Sequence, residues 1–196
     1  IPSQMFNAID SVPLTAIAFF MLTGELMTSA TITDRLVALS RALIGRIRGG
    51  LAQVNVLVSM FFAGMNGSVV ADTATVGALV LPAMKKAGYP AAFSAAVTGV
   101  SSTIGGIIPP SIMMIVLANS TEISIAALFA AGIIPGVLIG VVIMIINHYF
   151  AIKYNFERSD EPFSIRRAGR ELYRSSFALL IPLVLVGSVM GGVASV

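Results

Sequence analysis

Apolar residues fill long runs of this chain, and polar residues gather in a few short interruptions. The runs are 12–27, 51–65, 76–84, 91–118, 123–150 and 177–196, each with the continuous character of a membrane-embedded helix rather than the one-sided stripe of a soluble one. The stretch from Leu51 to Met84 breaks the rule that a run should cross. Its two arms, Leu51 to Met65 and Val76 to Met84, flank a polar tip holding Asn66, Ser68, Asp72, Thr73 and Thr75. The longer arm reaches about 22 Å at 1.5 Å per helical residue, whereas a bilayer core is about 30 Å thick. Neither arm spans, so the pattern predicts a re-entrant hairpin that turns at mid-depth. Non-helical backbone is tolerated at that depth only where protein buries it or it lines a cavity.

Charge supports this folding pattern. All 12 lysines and arginines fall in three clusters, 35–48, 85–86 and 153–174, between apolar runs. Basic loops mark the cytoplasmic side, and all three clusters share it only if 51–84 crosses an even number of times. Two full crossings need about forty residues, more than this stretch has, which again selects the hairpin. The net charge of +3 is thus read as orientation, not as nucleic-acid binding. With 57% hydrophobic and 11% charged residues and a mean hydropathy of +0.94, the expectation is an all-α integral membrane protein. The chain begins at Ile1 and ends in an apolar run at Val196, and both ends are expected to be cuts through a longer polypeptide.

The remaining runs order the chain. A first span over 12–27 starts outside after Asp10. Thr33 and Asp34 are candidate N-caps for an amphipathic cationic helix over 35–48, expected along the cytoplasmic interface. The run 91–118 is long enough to cross but carries SSTIGGIIPPS at its middle. Gly105, Gly106, Pro109 and Pro110 should unwind the helix there. A return span follows over 123–150 with a kink at Pro135, then a basic loop over 153–174 and a last span from Phe177. This gives three regions: 1–50, a first span and arm helix; 51–122, a core of hairpin and broken helix; and 123–196, two further spans.

Candidate chemistry gathers where the two broken elements should meet. Asn55, Ser59 and Asn66 form one polar stripe on the first arm, while Ser68, Asp72 and Thr73 stand where the second arm begins. Helix C-termini and unwound carbonyls can bind a cation, helix N-termini can face an anionic group, and side-chain oxygens suit a hard ion such as sodium. Asp72 has two readings, an ion ligand or an N-cap that holds the hairpin's shape. There are no cysteines and one histidine, His148, expected at the interface. No phosphate loop, paired catalytic carboxylates or nucleophile-histidine pair is present, so no enzymatic activity is expected. An intramembrane hydrolase using Ser68 would lack a base.

The motifs GSVVADTATVG and STIGGIIPPS, with GELM at 24–27, together resemble the large membrane subunit of tripartite ATP-independent periplasmic (TRAP) transporters over nearly the whole chain. The resemblance implies an inverted repeat of two halves, each with a re-entrant hairpin and a broken helix, working as a sodium-coupled elevator. This chain would be the first half without the family's first helix. It also implies sodium-binding positions at Asn66, Gly67 and Ser68 on the tip and at Ser102, Thr103, Gly106 and Pro109 on the break. Asn66 stands where many members carry serine, and its amide oxygen can still ligate. The partners implied are a small membrane subunit and a periplasmic binding protein delivering an organic acid, such as a dicarboxylate or sialic acid, at the bacterial inner membrane. The alternatives are a stand-alone sodium/carboxylate symporter of related architecture and a channel or structural membrane subunit.

Overall fold

The computed structural model describes residues 32–45, 47–156 and 164–191, with a few helical positions among 17–26 before them. Most of the expected first span, with Asp10 and the GELM glycine and glutamate, lies outside the described residues. Every element among the described residues is helical: α1 (Ile32–Ile44), α2 (Gly50–Asn66), α3 (Val69–Lys86), α4 (Ala91–Ser102), a short 3-10 turn (Thr103–Gly106), α5 (Ile112–Thr121), α6 (Ile125–Lys153) and α7 (Ile165–Met190).

The hydrophobic runs become helices, and their margins move where local chemistry overrides the run. α1 begins at Ile32, so Thr33 and Asp34 stand inside its first turn and not at its cap; an acidic residue there suits the positive end of the helix dipole. Its apolar face is divided, with Leu43 exposed, as is Ile47 just beyond the helix. Leu36 and Leu39 are fully buried, and α1 packs between α2 and α7, with the Ser175 hydroxyl donating to the Arg35 carbonyl at 3.2 Å. The expected basic loop 153–174 is also shorter than its composition suggested. Ser164 caps α7 by accepting from the Arg167 N–H, and residues 165–174 are a polar first portion of the same helix that carries the last apolar run.

α2 is the centre. It is apolar around most of its circumference, and it touches α1, α3, α4, the 3-10 turn, α6 and α7. Val54, Val58, Phe62 and Met65 are buried here. Gln53 donates to the Met144 carbonyl at 2.8 Å, tying α2 to α6 by the kind of interhelical hydrogen bond that membrane bundles use.

Among the described residues, α6 and α7 are the helices long and apolar enough to cross a membrane. The buried face of α6 is one stripe, with Phe129, Gly132, Gly136, Gly140, Ile143, Asn147 and Ala151 spaced by three or four residues, while Ile134, Leu138 and Ile145 are exposed. Its glycines let neighbours lie against the backbone. A Cβ at Gly132 would strike the Ile107 carbonyl and Met114, at Gly136 Ile108, and at Gly140 Met60.

α2 and α3 fold back on each other as a helical hairpin. Both of its open ends lie at the C-terminal end of α6: Gly49 abuts Ala151, and the Tyr89 ring sits 4.5 Å from that of Phe156. Phe93, Phe150 and Tyr154 extend this aromatic cluster beside Lys153. The break after α4 reaches the level of Gly132, and α6 continues beyond it toward its N-terminus for seven residues, about 10 Å at 1.5 Å per residue.

Candidate functional site

The turn of the hairpin is narrower than its polar composition suggested. α2 continues through Asn66, Gly67 adopts a left-handed conformation with φ 58° that closes the helix, and α3 starts at Val69. Only Gly67 and Ser68 are non-helical. Thr75 and Thr73 therefore stand on a helix and not in an open loop. Ser68 is the N-cap of α3, its hydroxyl accepting from the Ala71 N–H at 3.4 Å, and its own N–H donates to Asn66 Oδ1 at 3.0 Å.

The second break ends in the same place. α4 passes into the 3-10 turn at Thr103, the chain runs irregularly through Pro109 and Pro110, and α5 restarts after Ser111. Ser111 holds this shape with both halves of its hydroxyl: it donates to the Gly106 carbonyl at 2.8 Å and accepts from the Met114 N–H at 3.4 Å. Glycine and proline explain the failure of the helix here, through lost helix propensity and missing N–H donors.

The two breaks touch. The Ile112 N–H donates to the Gly67 carbonyl at 3.3 Å, the backbone hydrogen bond that joins the tip to the start of α5. A Cβ on Gly67 would lie 2.9 Å from Ser111 Cα and closer still to the Pro110 carbonyl oxygen. One on Gly106 would lie 3.3 Å from Val69, and one on Gly105 would be 3.7 Å from the Ser68 carbonyl. The C-termini of α2 and α4 and the N-termini of α3 and α5 thus converge on one small volume. Opposite helix-end partial charges are available within it.

The side chains divide into those that face this junction and those that do not. Asp72, one turn into α3, has no exposed surface. It caps nothing: both carboxylate oxygens lack a hydrogen-bond partner, and Ser68 already serves the helix N-terminus. The hydroxyls of Ser59 and Ser102 lie beside it, without hydrogen bonds of standard geometry. Ser102 Oγ is itself buried and unpartnered, as is Asn66 Nδ2. Pro109 is buried, with its carbonyl near Gly64. Thr73 and Thr103 are exposed, and each donates to its own helix, to the Val69 carbonyl at 2.8 Å and the Val100 carbonyl at 2.7 Å. Thr73 instead borders an open, almost wholly apolar groove of about 820 Å³ between α3 and α4.

Three polar residues of α4 that the sequence does not single out join Ser102 on one buried face: Ser94, Thr98 and Ser101, at spacings of four and three, a signal hidden among alanines. They complete the stripe on α2: Asn55 Nδ2 donates to Thr98 Oγ1 at 2.7 Å, and Ser59 Oγ lies 3.2 Å from Ser101 Oγ. This seam leads from the basic end of the hairpin to Asp72.

A carboxylate with two vacant acceptor oxygens, flanked by hydroxyls and two helix C-termini, suits a hard monovalent cation and lacks the parts of a catalytic site. A family model described as the tripartite ATP-independent periplasmic transporter, DctM component, matches residues 1–196. The chain belongs to this family. It is 39% identical over 193 residues to the sialic acid TRAP transporter permease SiaT of Haemophilus influenzae, covering 98% of this chain and 31% of that one. It is 38% identical over 192 residues to the C4-dicarboxylate TRAP transporter large permease DctM of Pseudomonas aeruginosa, covering 98% and 44%. It is 35% identical over 189 residues to the sialic acid large permease SiaM of Vibrio cholerae, covering 96% and 44%. The chain therefore spans less than half the length of these curated relatives, which are transporter permeases and not enzymes.

Proposed function

We propose that this chain forms part of the membrane subunit of a sodium-coupled secondary transporter that imports an organic acid by an elevator mechanism. The observation that carries the reading is the buried, unpartnered Asp72 carboxylate at the junction of hairpin and break. An ionised carboxylate cannot stay uncompensated away from water at acceptable cost, and a cation entering that junction compensates it. In this reading Asn66, Gly67, Ser68, Ser102, Gly106 and Pro109 supply further oxygens from the tip and the break, and sodium binding draws the two elements together. α2 and α3 form a re-entrant hairpin: their open ends share the basic, aromatic end of α6, while α6 continues past the level of the break. The names of the relatives support a carboxylate as cargo, sialic acid or a C4-dicarboxylate. The partners are a small membrane subunit and a periplasmic binding protein that delivers the acid at the bacterial inner membrane.

The test is uptake by the full-length permease, reconstituted with its partner subunit and binding protein. Accumulation should require an inward sodium gradient and fail with potassium or choline in its place. Uptake indifferent to sodium would refute the coupling, and uptake without a binding protein would favour a stand-alone symporter.

A further inference from the structure

We propose that Ser101, held by Asn55 and Thr98, is a positioning residue that turns the Ser59 hydroxyl proton away from Asp72, leaving Ser59 lone pairs for a bound monovalent cation. The inference rests on the sodium-coupled reading and concerns how the protein's hydroxyls make that junction accept a cation.

A serine hydroxyl has one proton to give and two lone pairs to offer. Ser101 Oγ lies 3.4 Å from Asn55 Oδ1 and 3.1 Å from the Thr98 carbonyl, both of which can only accept, and 3.2 Å from Ser59 Oγ. Asn55 Nδ2 donates to Thr98 Oγ1 at 2.7 Å, and the Thr98 proton goes on to the Ser94 carbonyl at 3.0 Å. If Ser101 gave its proton to Ser59, it would serve neither of the two acceptors in the seam, the fully buried Asn55 Oδ1 and the Thr98 carbonyl. Ser101 therefore donates into the seam and accepts from Ser59. The Ser59 proton then points toward α4, and the side of Ser59 facing Asp72 presents lone pairs. Asp72 adds two oxygens that no hydroxyl meets at standard hydrogen-bond geometry, with Ser102 beside them. The result is a lining of acceptors that a cation completes.

Removing the Ser101 hydroxyl should release the Ser59 proton to swing onto Asp72 and compete with the ion. The measurement is the thermal midpoint of the purified full-length permease against sodium concentration, at constant ionic strength with choline. Ser101→Ala should raise the half-saturating sodium concentration by about three- to tenfold, the net size of one ordinary hydrogen bond. Ser101→Thr, which keeps the hydroxyl, should restore it, and Ser101→Cys, a weak donor, should lie between and serves if the alanine variant does not assemble. In a Ser59→Ala background the Ser101 substitution should produce no further rise, because there is no proton left to release. A lower midpoint with unchanged half-saturation in Ser101→Ala makes Ser101 structural and overturns the inference while the sodium reading stands. A wild-type midpoint that ignores sodium removes both.

Discussion

Adding one methyl group at Gly67 should be among the most damaging small changes this chain can suffer. The residue sits at φ 58°, where an L side chain costs about 1–2 kcal/mol, and its added Cβ would meet the Pro110 carbonyl and Ser111 Cα. Both obstacles are backbone and cannot rotate aside. Pushing tip and break apart to make room adds about 1–3 kcal/mol of overpacking and stretches the Ile112 to Gly67 hydrogen bond. Gly67→Ala should therefore cost roughly 2–5 kcal/mol, less a few tenths regained from the stiffer unfolded chain. Gly88→Ala is the internal control, because Gly88 has φ 78° but nothing within 4 Å of an added Cβ, so it pays only the backbone part, about 1–2 kcal/mol. Denaturant unfolding of the full-length protein in lipid nanodiscs, with uptake measured in parallel, separates the two. Equal losses for Gly67→Ala and Gly88→Ala, with uptake intact in both, would refute the claim that tip and break are pressed together.

Two further outcomes follow from the packing. On the α6 glycine stripe, Gly140→Ala meets only the flexible end of Met60 and should cost under about 1.5 kcal/mol, while Gly132→Ala meets the Ile107 carbonyl and should cost about 1–3 kcal/mol, as read by thermal melts. Equal costs would contradict the placement of the break on α6. For the hairpin, the exposed positions Arg48 and Lys86, changed singly to cysteine, should both react with an impermeant thiol reagent from the cytoplasmic side alone. Labelling of one of them from the periplasm would exclude a re-entrant course.

Much of the architecture was legible because apolar runs and glycine-proline breaks act locally. The chain turns at Gly67 and unwinds after Ser102 for reasons those residues carry themselves. What was not legible depends on neighbours. On α1, Leu36 and Leu39 are covered by other helices while Leu43 and, just past the helix end, Ile47 stay exposed, and an amphipathic pattern alone does not say which of its apolar residues a neighbour will cover. The polar opening of α7 looked like loop because charge density masks a helix whose cap, Ser164, is a single residue. At the site, the stripe of Asn55 and Ser59 was visible, but Thr98 and Ser101 acquire meaning only when α4 is laid against it. Asp72 left two readings open from sequence; its carboxylate's lack of any backbone donor removes the capping one.

The most direct test of the central claim is the sodium dependence of organic-acid uptake by Asp72→Asn, in the full-length permease reconstituted with its partners. The substitution keeps the size and removes the charge. If Asp72 compensates the coupling ion, the loss of one charged ligand, about 1.5–3 kcal/mol, should raise the half-saturating sodium concentration by roughly tenfold to a hundredfold or abolish uptake, while the protein still inserts and assembles. Uptake with an unchanged sodium requirement would contradict the account.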